Sequence, residues 1–329
     1  MELRELGTTG LKVTPIGLGL ASLGRPGYIN LGHSQDLEEN YDKQVMEQRA
    51  YAVMDEAWKL GIRYFDTARS YGAGEEFLGN WLEARGYKNV AIGSKWGYTY
   101  TANWKIEAEA HEVKEHSLPV LQRQWDETKA NLASHLDLYQ IHSATLESGV
   151  LENISVLEQL AKLKNEGVLV GLSVSGPKQP WVIEKALAVK VDGIRIFDAV
   201  QATWNILETS PGEMLEQAAK EGLGVIIKEG VANGRLTGRN GDEEFKPKMA
   251  ILTSLAEKYN VSVDSVVLAA IIAQPWVSTV LSGAATVAHL TSNVAALAIG
   301  LKEEDLVSLV SLKEEPEVYW AKRSTLRWN

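Results

Sequence analysis

Four ionisable residues, Asp66, Tyr71, Lys95 and His142, stand at or just beyond the ends of three consecutive apolar runs. Asp66 closes Ile62-Arg-Tyr-Phe-Asp66, and Tyr71 follows five residues later. Lys95 closes Val90-Ala-Ile-Gly-Ser-Lys95, and His142 closes Leu136-Asp-Leu-Tyr-Gln-Ile-His142. Each has an ordinary reading taken singly: a turn residue, rim packing, a solvated strand end, a satisfied core histidine. Their coincidence on neighbouring runs points instead to one site. A tyrosine is a poor acid near neutrality, with a reference pKa of about 10, and a neighbouring ammonium favours its phenolate. On this reading Tyr71 donates a proton, Lys95 lowers the barrier, Asp66 orients Lys95, and His142 directs the substrate oxygen. No metal and no activated nucleophile is needed, which suits carbonyl reduction once a hydride source is present.

Eight short β-rich runs must position these residues: Pro15 to Leu20, Ile62 to Asp66, Val90 to Lys95, Leu136 to His142, Val168 to Val174, Ile194 to Gln201, Gly224 to Lys228 and Ser278 to Leu281. Amphipathic stretches separate them, as in Ala50, Val53, Met54, Ala57 and Leu60, where apolar residues recur at three and four. Eight βα units without a proline-rich linker predict a (β/α)8 TIM barrel, one domain over residues 1–329, preceded by a β-hairpin around Gly7-Thr-Thr-Gly10. Three long connections, Gly24 to Asn40, Trp96 to Ala110 and Glu229 to Lys246, follow strand carboxyl ends and so belong to the C-terminal face that carries barrel active sites. The tail from Lys313 to Asn329 either folds over that rim or lies on the surface.

Other motifs fall away on inspection. Gly17-Leu-Gly19 and Gly72-Ala-Gly74 begin like dinucleotide fingerprints, but Ser22 and Phe77 replace the final glycine, and no Rossmann domain is indicated. His111 and His116 are spaced by five, which puts them on different faces of a helix rather than on one zinc ion, and they read as exposed residues. Cysteine is absent, which excludes disulfides, thiolate metal sites and cysteine nucleophiles. With 33 basic and 43 acidic residues the net charge is −10, which opposes association with nucleic acid or anionic lipid. The amino terminus has no basic head with an apolar stretch, and no apolar run approaches the roughly 18 residues of a membrane span, so cytoplasmic residence is the expectation. Ten tryptophans against four phenylalanines is a conspicuous excess.

The stretch Gly61-Ile-Arg-Tyr-Phe-Asp66-Thr-Ala-Arg-Ser-Tyr71-Gly72, with Gly93-Ser-Lys95 and Asp137-Leu-Tyr-Gln-Ile-His142, resembles the aldo-keto reductase superfamily, and the similarity runs from the opening hairpin to Asn293. The resemblance implies a barrel that binds NAD(P)H without a Rossmann fold, and a catalytic tetrad at Asp66, Tyr71, Lys95 and His142. It implies hydride transfer between the nicotinamide and a carbonyl carbon, with Tyr71 as acid in reduction and base in oxidation. It also places Ser173 and Gln201 on the nicotinamide carboxamide and Trp204 as the ring that stacks on the nicotinamide. Gly230 and Arg235 would wrap the pyrophosphate, and Gly283, His289 and Asn293 would hold the adenosine phosphate at a helix amino terminus. The chain departs from the family's pattern at Val174, where an asparagine is usual, and at Lys228-Glu229-Gly230, where Tyr-Ser-Pro is common. The resemblance favours NADP(H), with NAD(H) open because Gly283, Ala285 and His289 form no obvious cationic clamp; His289, Arg239 and Lys246 are the candidate charges.

Trp96, Tyr98, Tyr100 and Trp104 follow Lys95 and suggest an aromatic wall for a small carbonyl or alcohol substrate, an aromatic aldehyde or a sugar. Arg69 is a candidate for a substrate carboxylate or for a salt bridge. The oligomeric state is open. Two other readings stand beside the reductase: a nucleotide-sensing regulatory subunit, and a Schiff-base lyase acting through Lys95 or Lys228.

Overall fold

The structure, a computed structural model, describes residues 1–329 apart from the side chain of Ser134. Eight parallel strands form its centre: β1 (Ile16–Gly19), β2 (Tyr64–Asp66), β3 (Ala91–Trp96), β4 (Leu138–Ala144), β5 (Leu169–Val174), β6 (Ala199–Thr203), β7 (Gly224–Lys228) and β8 (Thr279–Ser282). Each pairs with the next and β8 pairs with β1, so the sheet closes as the TIM barrel the repeating pattern predicts. The strand expected from Ile194 starts later. Ile194–Arg195 instead pairs antiparallel with Lys190–Val191 in a small hairpin, and β6 begins at Ala199. The expected long connection after β3 likewise contains a hairpin, Tyr98–Tyr100 against Glu112–Lys114.

Helices wrap the sheet: α1 (Lys43–Lys59), α2 (Gly74–Arg85), α3 (Leu118–Leu132), α4 (Ile154–Asn165), α5 (Gln179–Ala188), α6 (Gly212–Lys220), α7 (Lys246–Tyr259), α8 (Val263–Ile272) and α9 (Val287–Val294), followed by α10 (Glu303–Val310) and α11 (Pro316–Ser324). Their starts are fixed by side chains that accept otherwise orphaned backbone N–H groups. Asp42 caps α1 through Gln44 and Val45, and Thr286 caps α9 through His289. Inside the barrel, Tyr64, Ala91, Leu138, Ala199 and Ile226 form an apolar floor that the amino-terminal hairpin plugs with Leu6 and Val13. Outward-facing strand residues such as Phe65, Ile92, Tyr139 and Leu172 pack under the helices with Trp81 and Leu160. The C-terminal rim is left to polar side chains and loops.

One contact between neighbouring helices is unusually close. Gly79 of α2 faces α3 so closely that a methyl group there would lie 2.0 Å from the carbonyl oxygen of Asn131. Replacing a helix-interior glycine by alanine ordinarily stabilises by about 0.5–1 kcal/mol. Here the overlap is with backbone, which cannot rotate away, so the sign reverses. Gly79→Ala is expected to destabilise by about 1–3 kcal/mol in chemical denaturation; an unchanged or raised midpoint would contradict this packing.

Candidate active site

β2, β3 and β4 end side by side, and parity along each strand sends Asp66, Lys95 and His142 toward the barrel axis. Lys95 is 1% exposed and forms an ion pair with Asp66. Its Nζ also donates to the Thr67 carbonyl at 2.8 Å and to the Tyr71 hydroxyl at 3.5 Å. The second oxygen of Asp66 accepts from Tyr64, Gln140 and Gln201 at 3.2, 3.2 and 2.9 Å. Tyr71 sits in the connection between β2 and α2, where Gly72 turns with a φ of 60°. A side chain at Gly72 would strike the Gly24 carbonyl oxygen at 2.5 Å, so close approach of the first two rim loops depends on glycine. The Tyr71 and His142 rings meet edge to face with centroids 5.5 Å apart, and Tyr98 meets His142 at 4.9 Å.

The electrostatics differ from the simple expectation for Tyr71. Burial raises its phenol pKa, Asp66 raises it further, and Arg25, whose guanidinium lies 5.3 Å from the ring centroid, opposes them. The phenol therefore remains protonated in the free protein rather than poised as a phenolate. His142 is held neutral: burial lowers its pKa well below the ordinary value, and Lys95 and Lys228 add to the effect. Its Nδ1 lies 3.4 Å from the Ser70 hydroxyl. Just beyond it, β4 is irregular. Ser143 takes a φ of 53° and donates its N–H to Ser173 Oγ at 2.8 Å, while His116 Nε2 donates to the His142 carbonyl at 2.8 Å. His116 is thus buried and structural, not exposed, and burial lowers its pKa to about 4. His111 stacks on Trp328 with centroids 4.1 Å apart.

A cleft of about 560 Å³ runs from Asp66, Tyr71, Tyr98 and His142 across the rim to Gly283, His289 and Asn293. The sequence candidates divide cleanly within it. Gln201, Gly230, Gly283, His289, Asn293 and Tyr98 line the cleft. Ser173 is fully buried and occupied with the Ser143 backbone; Ser143 and Ser175 face the cleft in its place. Trp204 does not line the cleft. It turns outward after Thr203 and meets Trp276 edge to face at 5.4 Å, which removes it as the stacking ring. Trp96 is outward for the same reason of parity, one residue past inward Lys95, and packs on His116. Trp104 donates its indole N–H to the Tyr41 carbonyl at 2.6 Å, so neither tryptophan forms a substrate wall.

Arg235 is also redirected. Its guanidinium grips Glu314 at 2.7 and 2.9 Å and lies over Tyr319, so it anchors α11 rather than a pyrophosphate. Arg69 binds Glu75, a carboxylate buried beside α3, and Glu127. Lys246 pairs with Glu243 on the surface, whereas Arg239 reaches the cleft, pairs with Asp36 and lies 3.2 Å from His289.

Several cleft residues carried no sequence signal. Arg25 is 3% exposed, donates to the Ser70 carbonyl and Glu112, and lies over the rings of Tyr28, Tyr71 and Trp328. The tail does fold over the rim: Arg323 and Trp328 line the cleft, and the Asn329 backbone exchanges hydrogen bonds with Tyr28. Arg323 clamps Glu229 through Nε at 2.8 and 3.0 Å and through Nη2 at 2.5 Å. Only the side chains' charges announce such pairs, and their partners lie 94 residues away.

The match to the Aldo/keto reductase family model spans residues 15–314. The chain belongs to that family. It is 28% identical to the uncharacterized oxidoreductase YqkF of Bacillus subtilis, over 98% of this chain and the whole of that one. It is 27% identical to L-galactose dehydrogenase of Arabidopsis thaliana, over 95% of each chain. In fold it is similar to the holo form of aldo-keto reductase AKR11C1 from Bacillus halodurans, with a TM-score of 0.73 and 23% identity over 96% of this chain and 97% of that one. Membership makes the protein an oxidoreductase, and aldo/keto reductases generally bind NAD(P)H.

The cleft fits such an elongated dinucleotide on its own chemistry. Asn233 is buried with its Oδ1 unpartnered, Gly19, Gly230 and Gly283 bring bare backbone to the wall, and the first turn of α9 brings His289 to the far end. No helix is long and apolar enough to cross a membrane, among the described residues.

The clamp on the tail has an acid limit. Burial pushes the Glu229 carboxyl up, but Arg323 and Lys228 outweigh it and hold it at about 2, against 4.5 ordinarily. A depressed carboxylate stabilises the folded arrangement above its ordinary pKa and loses that contribution as the pH falls toward the depressed one. Docking of α11 is therefore expected to weaken between about pH 4.5 and 2, reported by Trp320 fluorescence, because this ring lies 5.3 Å from the Arg323 guanidinium. Glu229→Gln is expected to shrink that transition, Glu314 on Arg235 keeping its own share, and to loosen α11 at neutral pH; a Trp320 titration identical in both proteins would refute the clamp.

Proposed function

We propose that the protein interconverts a small carbonyl compound, an aldehyde, ketone or sugar, and the corresponding alcohol, with NAD(P)H as hydride donor. The observation that carries this reading is the convergence of Tyr71, Asp66 and His142 on the inner wall of a cleft of about 560 Å³, with Lys95 buried against Asp66 and Tyr71. The bound nicotinamide supplies the hydride to the carbonyl carbon. The chain's own residues manage the proton and the charge. Tyr71 gives its hydroxyl proton to the carbonyl oxygen as negative charge develops there. The Lys95 ammonium then stabilises the phenolate left behind, and Asp66 keeps that ammonium charged and aimed. Neutral His142 donates a hydrogen bond that orients the oxygen without competing for the proton. In oxidation the Tyr71 phenolate takes the proton back.

Tyr98 against His142 supplies one aromatic face for the substrate, and Ser143 and Ser175 supply hydroxyls beside it. The identity to L-galactose dehydrogenase supports a sugar among the candidates. At the adenosine end, Arg239 provides positive charge for the 2′-phosphate of NADP(H), with the His289 ring beside it, while Asp36 neutralises Arg239 and leaves NAD(H) competitive.

A screen of aldehydes and sugars with both NADH and NADPH tests substrate class and nucleotide together. Tyr71→Phe is expected to reduce turnover by about 10²–10⁴-fold, the usual size of a general-acid contribution. Nucleotide binding, followed by quenching of tryptophan fluorescence, is expected to persist. Turnover retained in Tyr71→Phe would overturn the proton-donor role.

A further inference from the structure

The charges around the tetrad end of the cleft do not balance, and the surplus resides on Lys228. Four cations stand at this end: Arg25, Lys228 and Arg323 line the cleft, and Lys95 is buried against Asp66 and Tyr71. Three carboxylates answer them, and each is committed to a different cation. Asp66 holds Lys95, Glu112 holds Arg25 at 2.9 Å, and Glu229 is clamped by Arg323 through both its oxygens. The remaining titratable groups here, His142, Tyr71, Tyr98 and Tyr28, are neutral, because burial lowers the histidine's pKa and raises those of the phenols.

Lys228 is thus left with neutral partners at hydrogen-bond distance. Its Nζ donates to Thr203 Oγ1 at 2.7 Å and lies 3.4 Å from Ser175 Oγ; its nearest carboxylate oxygen, on Glu229, is 3.8 Å away. Its side chain is 15% exposed and reaches the cleft from the end of β7, in register with Thr203 and one strand away from Gln201. Burial lowers its pKa to about 8, with Glu229 opposing, so the ammonium is predominantly charged at neutral pH.

We propose that the Lys228 ammonium makes the site discriminate between the two redox forms of its nucleotide, weakening the oxidised form relative to the reduced one. This rests on the reading that the cleft takes a nicotinamide nucleotide with its ring at the tetrad end, where the proton donor stands. An oxidised nicotinamide ring carries a full positive charge and a reduced ring none, so a like charge fixed in a water-poor wall acts on only one of them. The remaining cations cannot do this, because each has a carboxylate to cancel its field. An enzyme with this arrangement retains the hydride donor and releases the spent nucleotide readily.

The measurement is the ratio of dissociation constants, oxidised over reduced, for NAD⁺ against NADH and NADP⁺ against NADPH. It is made by equilibrium fluorescence quenching on the wild-type protein, Lys228→Met and Lys228→Arg. Lys228→Met is expected to lower the ratio about tenfold, chiefly by tightening the oxidised form, while Lys228→Arg keeps the charge and the ratio. In the wild-type protein the ratio is also expected to shrink as pH rises past about 8, and in Lys228→Arg to stay level. This arm needs no folded methionine variant. Equal ratios in all three proteins, or a flat wild-type pH profile, would overturn the role of Lys228 while leaving the nucleotide reading intact. Failure of the wild-type protein to bind any of the four nucleotides would overturn both.

Discussion

The ion pair between Lys95 and Asp66 governs the rim of this barrel. Taking two charges out of water costs several kcal/mol per ion, and that cost is offset only where every remaining donor and acceptor is engaged. Here they are. Asp66 receives hydrogen bonds from Tyr64 below it and from Gln140 and Gln201 across the barrel. Lys95 uses its other donors on Thr67 and Tyr71. Removing either partner would strand its counterpart in the barrel interior. The pair therefore ties four strands together at one level and presents a single hydroxyl, that of Tyr71, to the cleft.

From this layer upward the structure changes character. Below it the barrel is filled by apolar side chains at strand parity; above it, polar loops and the tail make the walls. Glu229, Ala232 and Asn233 all take left-handed backbone conformations directly after β7, a costly run for residues with side chains. It is held by long-range contacts: Arg323 on Glu229, Asn205 on the Glu229 carbonyl, and Leu31 on the Asn233 carbonyl. The roof of the cleft is thus assembled from segments that have no local reason to be ordered.

That division explains what could be read from the chain alone. The barrel and the residues at its strand ends were legible because period-two alternation and βα spacing are local patterns. The same parity argument, carried one residue further, separates Trp96 from Lys95 and Trp204 from Thr203, and it shows why aromatic content by itself misplaced the substrate wall and the stacking ring. Ile194 read as a strand because a two-residue hairpin shares the alternation of a barrel strand. Arg235, Glu229 and Arg25 were opaque for another reason: their roles depend on Glu314, Arg323 and Glu112, 79, 94 and 87 positions away, and charge carries no address.

Closure of the sheet also bears on how the protein behaves in a crowded solution. An open sheet of Val- and Ile-rich strands offers its edge to any other extended chain, and such edges seed aggregation. In this barrel each of the eight strands is paired on both sides, and the edges that remain belong to hairpins of two or three residues. The thinnest pairings, two residues each, are β1 with β2 and β7 with β8. A transient opening of the barrel, and with it an exposed strand edge, would start at these seams, both of which border the cleft.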